Sequence, residues 1–397
     1  MKISKVTTYI LRVPLGKEKF CSSQCFFPER NSMLVRIETD DGLVGWGEGG
    51  QYGPPEPVCS CIESVIADKL MNQNPLDKGR IWDSLYSFFR DFGQKGPYIE
   101  ALSAIDIALW DLSGKYLGQP IKKLIGGDFW EKIPAYATGC YYTEDDLQDF
   151  DNSLRRLALE AESYVKTGFK IMKMKIGLLS IEEDIKRVKA VRNAVGSDMV
   201  MLVDCNHSYN TYSALRMGKL LEEYDIRWYE EPVLPENKEG YRNLRKALNI
   251  AIAGGECEYT KYGFKDLITN ECLDIVQPDI CVCGGITETL KILALAQAYN
   301  TIIIPHVWGS GIALAAALQF LSIIPPCPHT YKPIPMQNMP VVEFDRNLNP
   351  LRDNLLTTPI INEDNCVKVP NGPGLGVEVD SEVLDKYCTY KKEIKKV

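Results

Sequence analysis

Two lysines stand two residues apart in the otherwise apolar run FKIMKMKIG, at Lys173 and Lys175. In a β-strand, residues i and i+2 point to the same side, about 6–7 Å apart. Further along, single polar residues close successive apolar runs: Asp204 in VMLVDCNHS, Glu230 in IRWYEEP, Glu256 in IAIAGGECE, Asp279 in DIVQPDI, His306 in TIIIPHVWG and Glu343 in MPVVEFD. Asp204, Glu230 and Glu256, if gathered in one place, would repel and raise one another's pKa, and a divalent cation would relieve this. Ligation by oxygen alone suits Mg²⁺ or Mn²⁺. Two ammonium groups ~7 Å apart repel by about 2 kcal/mol at an effective dielectric near 20, which lowers a lysine pKa by roughly 1–2 units. A dication lowers it further, and a lysine brought towards neutrality can act as a base. Asp279 hydrogen-bonded to His306 would make a second acid–base group. Two such groups on opposite sides of a cation suit removal of the proton next to a carboxylate. The enediolate that results then takes a proton back or expels a group from the β-carbon.

Taken singly, each residue has a plainer reading as a solvated carboxylate, a snorkelling lysine or a satisfied core histidine. Their common position argues for one site. Apolar β-like runs alternate with helical segments at ~25–35 residue steps, the rhythm of a parallel sheet. SIEEDIKRVKAVRNAVG is a helix with Ser180 as N-cap, Glu183 three places on and Gly196 at its close. ITETLKILALAQAYN and GIALAAALQFLSII read as later helices. A parallel β/α barrel puts all its strand ends on one face. An open doubly wound sheet gathers some of them in a crevice. Seven polar strand ends in succession, with no glycine-rich phosphate loop after the first strand, favour the barrel. Strands several places apart then face each other across its mouth, which sets the lysines opposite His306. His207 is expected to line the mouth beside Asn206, and His329, in PPCPHT, reads as a loop residue.

The first part of the chain reads as α+β. ISKVTTYILRV alternates like a strand, and SMLVRIETDDGLVGWGE is a hairpin around Asp40-Asp41-Gly42. CSSQCFFPERN is a polar loop with aromatic residues. IEALSAIDIALWDLSGKYLG is a helix that stops at Gly118, with a linker near residue 126.

The 397 residues are 45% hydrophobic and 25% charged, with a net charge of −8, so nucleic acid is not an expected partner. No run approaches ~18 apolar residues and the N-terminal stretch lacks a secretory core, so neither a membrane span nor a signal peptide is expected. The 13 cysteines include two CxC pairs, Cys59/Cys61 and Cys281/Cys283, and there are only 3 histidines. These spacings do not suit structural zinc; buried thiols in a reducing cytoplasm are the expectation.

In this order and spacing, KMK, Asp204 with Asn206, YEEP, GGE, QPD, PHVWG and PNGPGLGVEVD resemble the enolase superfamily, in its mandelate racemase/muconate lactonizing enzyme family, over nearly the whole chain. The resemblance implies a modified (β/α)7β TIM barrel at 127–350, under an N-terminal α+β capping domain at 1–126. A C-terminal segment at 351–397 would return to that cap. It implies Mg²⁺ on Asp204, Glu230 and Glu256, Lys175 as base with Lys173 as its electrophilic neighbour, and the His306–Asp279 pair as the opposing acid or base. Glu343 would hydrogen-bond a substrate carboxylate, while Asn206, His207, Tyr52 and Trp308 would contact the rest of the substrate. Specificity would reside in capping loops near 16–30 and 50–55. The stretches RDFGQKG, ALSAIDIALWD, DCNHSY and EFDRNLNP are similar to those of lactone-opening members that act on acid sugars. Lactone opening or acid-sugar dehydration is therefore the expected chemistry, with racemisation of a 2-hydroxy acid and a non-catalytic metal-binding barrel as alternatives. The resemblance also implies a homo-oligomer, with an octamer as one possibility.

Overall fold

The computed structural model describes residues 1–50 and 52–395. Gln51, within the expected capping loop at 50–55, and residues 396–397, within the expected C-terminal segment, lie outside the described residues.

Eight strands form the parallel barrel: Lys132–Gly139, Ile171–Lys175, Val200–Asp204, Ile226–Glu230, Ala251–Gly254, Ile275–Val276, Ile302–Ile303 and Val342–Asp345. Each pairs in parallel with its predecessor, except that the eighth pairs with the first, Glu343 opposite Tyr136. Among the described residues no ladder joins the seventh strand to the eighth. Helical connections follow the first seven strands, which gives the (β/α)7β pattern. Ile171–Lys175 is buried at every position, as expected where the barrel interior covers one face and helices the other. In the helix Ile181–Val195 the capping box of Ser180 and Glu183 is formed in full.

The strands past Gly254 are shorter than the apolar runs suggest. Glu256, Asp279 and His306 lie beyond the last ladder positions, not at strand ends. Gly255 adopts φ +119°, while Pro278 and Pro305 have no N–H to continue a ladder. The expectation of three carboxylates in register therefore holds for Asp204 and Glu230, which are paired directly, and fails for Glu256.

The cap is an antiparallel sheet in which Ile3–Pro14 lies between Cys388–Lys395 and Glu29–Thr39, with Val44–Glu48 beyond. Before it reaches this sheet, the C-terminal segment also pairs Cys366–Lys368 antiparallel with the first barrel strand. The helix Pro97–Leu117, closed by Gly118 in the left-handed region, is buried on nearly every side. It lies against Val44–Glu48, where a Cβ on Gly45 or Gly47 would come within 2.3 or 1.9 Å of the carbonyls of Ala108 and Ala104. Only glycine permits that approach.

Buried carboxylates fasten cap to barrel. Glu48 accepts from Ser310 N at 3.0 Å, Ser310 Oγ at 2.6 Å and Ala313 N at 3.1 Å, at the start of the barrel helix Gly311–Leu321. Asp106 accepts from Thr287 N at 2.8 Å, in the first turn of the helix Gly285–Ala298. Both use the free N–H groups and positive dipole end of a helix N-terminus. Arg30 reaches Asp345 at 2.5 Å in a buried ion pair. Among the described residues, no helix is long and apolar enough to cross a membrane.

A candidate active site at the barrel mouth

The barrel is plugged by an apolar layer of Tyr136, Ile171, Leu202, Trp228, Ala253, Ile275, Ile304 and Val341, one residue from each successive strand or its flank. Strand side chains repeat with a period of two, so the next inward residue lies two places on. That step leads to Thr138, Lys173, Asp204, Glu230, Gly255, Gln277, His306 and Glu343. A polar storey thus stands directly on an apolar one, and every side chain in it is buried. Lys175 and Asp279 continue two places higher on their own segments.

Within this storey Lys173 is fully buried. Its Nζ lies 2.7 Å from Glu230 Oε1, 2.9 Å from Glu343 Oε1 and 3.8 Å from Asp204 Oδ2. Lys175 bonds Asp204 Oδ2 and donates to Asn206 Oδ1 at 3.0 Å. On the far side, His306 Nδ1 is 2.7 Å from Asp279 Oδ2, and its Nε2 is 3.5 Å from Glu256 Oε2. Glu343 accepts from Thr138 Oγ1 at 2.6 Å and from Val307 N at 3.3 Å.

The charges follow from this geometry. Burial pulls both lysines down, but the carboxylates of Glu230 and Glu343 carry Lys173, and that of Asp204 carries Lys175, above the ordinary lysine value. Mutual repulsion alone therefore does not lower Lys175: without a cation, the acidic surroundings outweigh the neighbouring ammonium. Burial disfavours the charged form of His306, yet Glu256 and Asp279 raise it to about 9. Burial also opposes ionisation of Asp204 and Glu343, but the lysines, with His306 acting on Glu343, hold each near about 2. Glu230 is pushed up to about 8 by burial, only partly offset by Lys173.

Glu343 is thus ionised and can only accept hydrogen bonds.

Asp204, Glu230 and Glu256 each offer an oxygen within 4.8 Å of the others, and Glu230 Oε2 is buried with no hydrogen-bond partner. Five acidic groups (Asp204, Glu230, Glu256, Asp279 and Glu343) crowd round three basic ones (Lys173, Lys175 and His306) in a closed space, an imbalance that keeps Glu230 short of full ionisation. The donor set and this imbalance fit one hard dication.

Tyr52 donates to the Glu256 carbonyl at 3.2 Å and to Asp279 Oδ2 at 3.4 Å, with its ring 5.5 Å from that of His306. Trp308 packs with Phe20, Phe27 and Tyr141 under the guanidinium of Arg30, which lies 4.4 Å from its ring. Phe20 and Phe27 come from the capping loop, and Tyr141 and Trp308 from the barrel; the loop pairs with the barrel through Cys21 and Tyr142 and sends Ser23 Oγ to the Cys205 carbonyl at 2.5 Å. His207 turns towards Glu231, at 3.9 Å, while His329 is exposed on a loop. Sequence reasoning assigned nothing to Thr138 or Gln277. Stepping back two places from Asp279 points to Gln277, which is buried with both side-chain polar atoms unpartnered.

The family model described as "Mandelate racemase / muconate lactonizing enzyme, N-terminal domain" matches residues 8–126, and "Enolase C-terminal domain-like" matches 156–383. The chain is 40% identical to D-galactarolactone cycloisomerase of Agrobacterium fabrum over 98% of its length and 99% of that protein's. It is 36% identical to arabinonate dehydratase of Saccharolobus solfataricus, covering 89% of this chain and 90% of that one. The crystal structure of the 3,6-anhydro-D-galactonate cycloisomerase from Zobellia galactanivorans superposes with a TM-score of 0.85 at 39% identity, covering 98% of this chain and 100% of that one.

Proposed function

Since this chain belongs to the mandelate racemase/muconate lactonizing enzyme family of the enolase superfamily, and is an isomerase- or lyase-type enzyme of it, we propose that it removes the proton alpha to the carboxylate of an acid sugar or its lactone and then eliminates a β-oxygen. The observation that carries this reading is the placement of two proton-transfer groups at opposite ends of the carboxylate triplet, Lys175 on Asp204 and His306 beside Glu256. Proton removal from one side and delivery to the leaving oxygen on the other suits an anti β-elimination from a ring.

In this proposal Asp204, Glu230 and Glu256 hold Mg²⁺. When bound, the cation would grip the substrate carboxylate and acidify the adjacent C–H. With Asp204 engaged by a cation, Lys175 would lose the carboxylate that holds its proton and, as a neutral amine, could take the substrate's α-proton. Lys173 stays charged on Glu230 and Glu343 and stabilises the enediolate electrostatically from below. His306, kept protonated beside Glu256 and Asp279, gives its proton to the oxygen that leaves the β-carbon. The C–H and C–O bonds break, a C=C bond forms, and the enol settles to a keto acid. Asn206 keeps the Lys175 ammonium aligned, and Tyr52 closes over the His306–Asp279 pair.

Dehydration of an open-chain acid sugar uses the same groups, and the resemblance to an arabinonate dehydratase supports keeping it as a second reading. The test is to incubate the enzyme and Mg²⁺ with a panel of acid sugars and their lactones and follow products by NMR. A keto acid from a lactone supports cycloisomerisation, and one from an open acid supports dehydration. Epimers alone, with no keto acid, would overturn elimination in favour of racemisation.

A further inference from the structure

We propose that His207, Glu231 and Cys257 form a second cation site, which takes a borderline-soft divalent ion of the zinc class beside the all-oxygen triplet. An imidazole nitrogen, a carboxylate oxygen and a thiol sulfur from these residues lie within 4.8 Å of one another. Glu231 is 1% exposed, and its Oε2 has no hydrogen-bond partner. His207 Nε2 faces that oxygen at 3.9 Å, too far for a hydrogen bond. Ligands held at about 2.0–2.3 Å by a tetrahedral ion stand roughly 3.3–3.8 Å apart, so an ion fits if His207 and Glu231 close by about half an ångström and the thiol moves in from within 4.8 Å. Glu231 and Cys257, though not His207, also border a small cavity of about 10 Å³, close to the space one water needs.

The backbone explains how these donors meet. His207, three residues past the end of its strand, and Glu231, directly after its own, have φ of +53° and +43°, left-handed turns that break the in–out alternation. Cys257 adjoins Glu256. Three successive barrel loops each deliver one donor, which is why the short ligand spacings of zinc motifs are absent from the sequence. The two sites differ in chemistry: a thiolate and an imidazole select a zinc-class ion over Mg²⁺, and three carboxylates do the reverse.

The test is a Co²⁺ titration of the chelator-stripped protein held in excess Mg²⁺, so that a hard site, if present, is filled and an empty one yields no thiolate signal. One equivalent of Co²⁺ is expected to produce thiolate-to-cobalt charge-transfer absorption with tetrahedral visible bands, displaced by Zn²⁺. Cys257→Ser should abolish the charge-transfer band, His207→Ala should weaken binding by more than about tenfold, and Cys25→Ser should keep the band. No thiolate band in the parent, a band that survives Cys257→Ser, or one that disappears with Cys25 would overturn the proposal. If Cys257→Ser does not fold, half-exposed His207 still decides: Co²⁺ bound by His207→Ala as tightly as by the parent also overturns it.

Discussion

Lys175 and His306 meet the carboxylate triplet at opposite ends: Lys175 bonds Asp204, and His306 Nε2 lies 3.5 Å from Glu256. If they divide the proton transfers, their variants should fail differently. Lys175→Ala should lose turnover by about 10³-fold or more, within the range for a general base. His306→Asn should also lose product formation but still exchange the substrate α-proton with solvent deuterium, as read by NMR. Full activity in both variants would remove the assignment.

Lys173 pairs with two buried acidic groups at once, Glu230 and Glu343. Lys173→Met should destabilise the chelator-treated protein by about 3–5 kcal/mol, the cost of leaving a buried partner unpaired. Urea midpoints with and without Mg²⁺ check this. Mg²⁺ should recover part of the loss, because the cation replaces a positive charge in the same storey.

The acidic imbalance of the site predicts stabilisation by Mg²⁺. At a free concentration of 100 Kd the gain is about 2.7 kcal/mol, visible as a rise in Tm. Asp204→Asn and Glu256→Gln should each reduce that rise sharply. An equal rise in both variants would place the ion elsewhere.

Asp106 links stability to pH at the seam between cap and barrel. Burial pushes its carboxyl up to about 7, despite the hydrogen bonds from Thr287. The folded state then holds this proton more tightly than the unfolded chain, whose aspartates titrate near about 3.9. The contribution is fully present below about pH 4 and is lost as pH rises through about 7, with a ceiling of about 4 kcal/mol. Asp106→Asn keeps an acceptor for Thr287 N and has no proton to lose. Its stability relative to the parent should therefore rise between pH 4.5 and 8 in urea titrations, and an unchanged difference would count against this linkage.

Lys173, Lys175, Asp204, Glu230, His306 and Glu343 were legible because a polar residue in an apolar β-run is conspicuous, and the period of two told which way it faced. The barrel followed from the repeat of such runs. The lysines' charge was not legible, since it depends on how many carboxylates stand round each ammonium. Thr138 and Gln277 resemble ordinary strand residues until the apolar layer beneath them is known. Glu48 and Asp106 contact barrel residues 262 and 181 positions away, and no local pattern announces such a pairing. Glu256 was found although its strand-end placement was wrong, because glycine and proline shorten the ladders without moving the loops away from the mouth.

The cap sheet completes itself with a strand that comes only after the whole barrel in the chain. Lys5 pairs with Lys395, so Ile3–Pro14 emerges from the ribosome with one hydrogen-bonding edge bare and keeps it bare until the whole barrel has been made. An open strand edge is a template for other chains. During synthesis this protein therefore carries a sticky seam that only its own distal segment can close, and truncation before residue 388 would leave that seam permanently open.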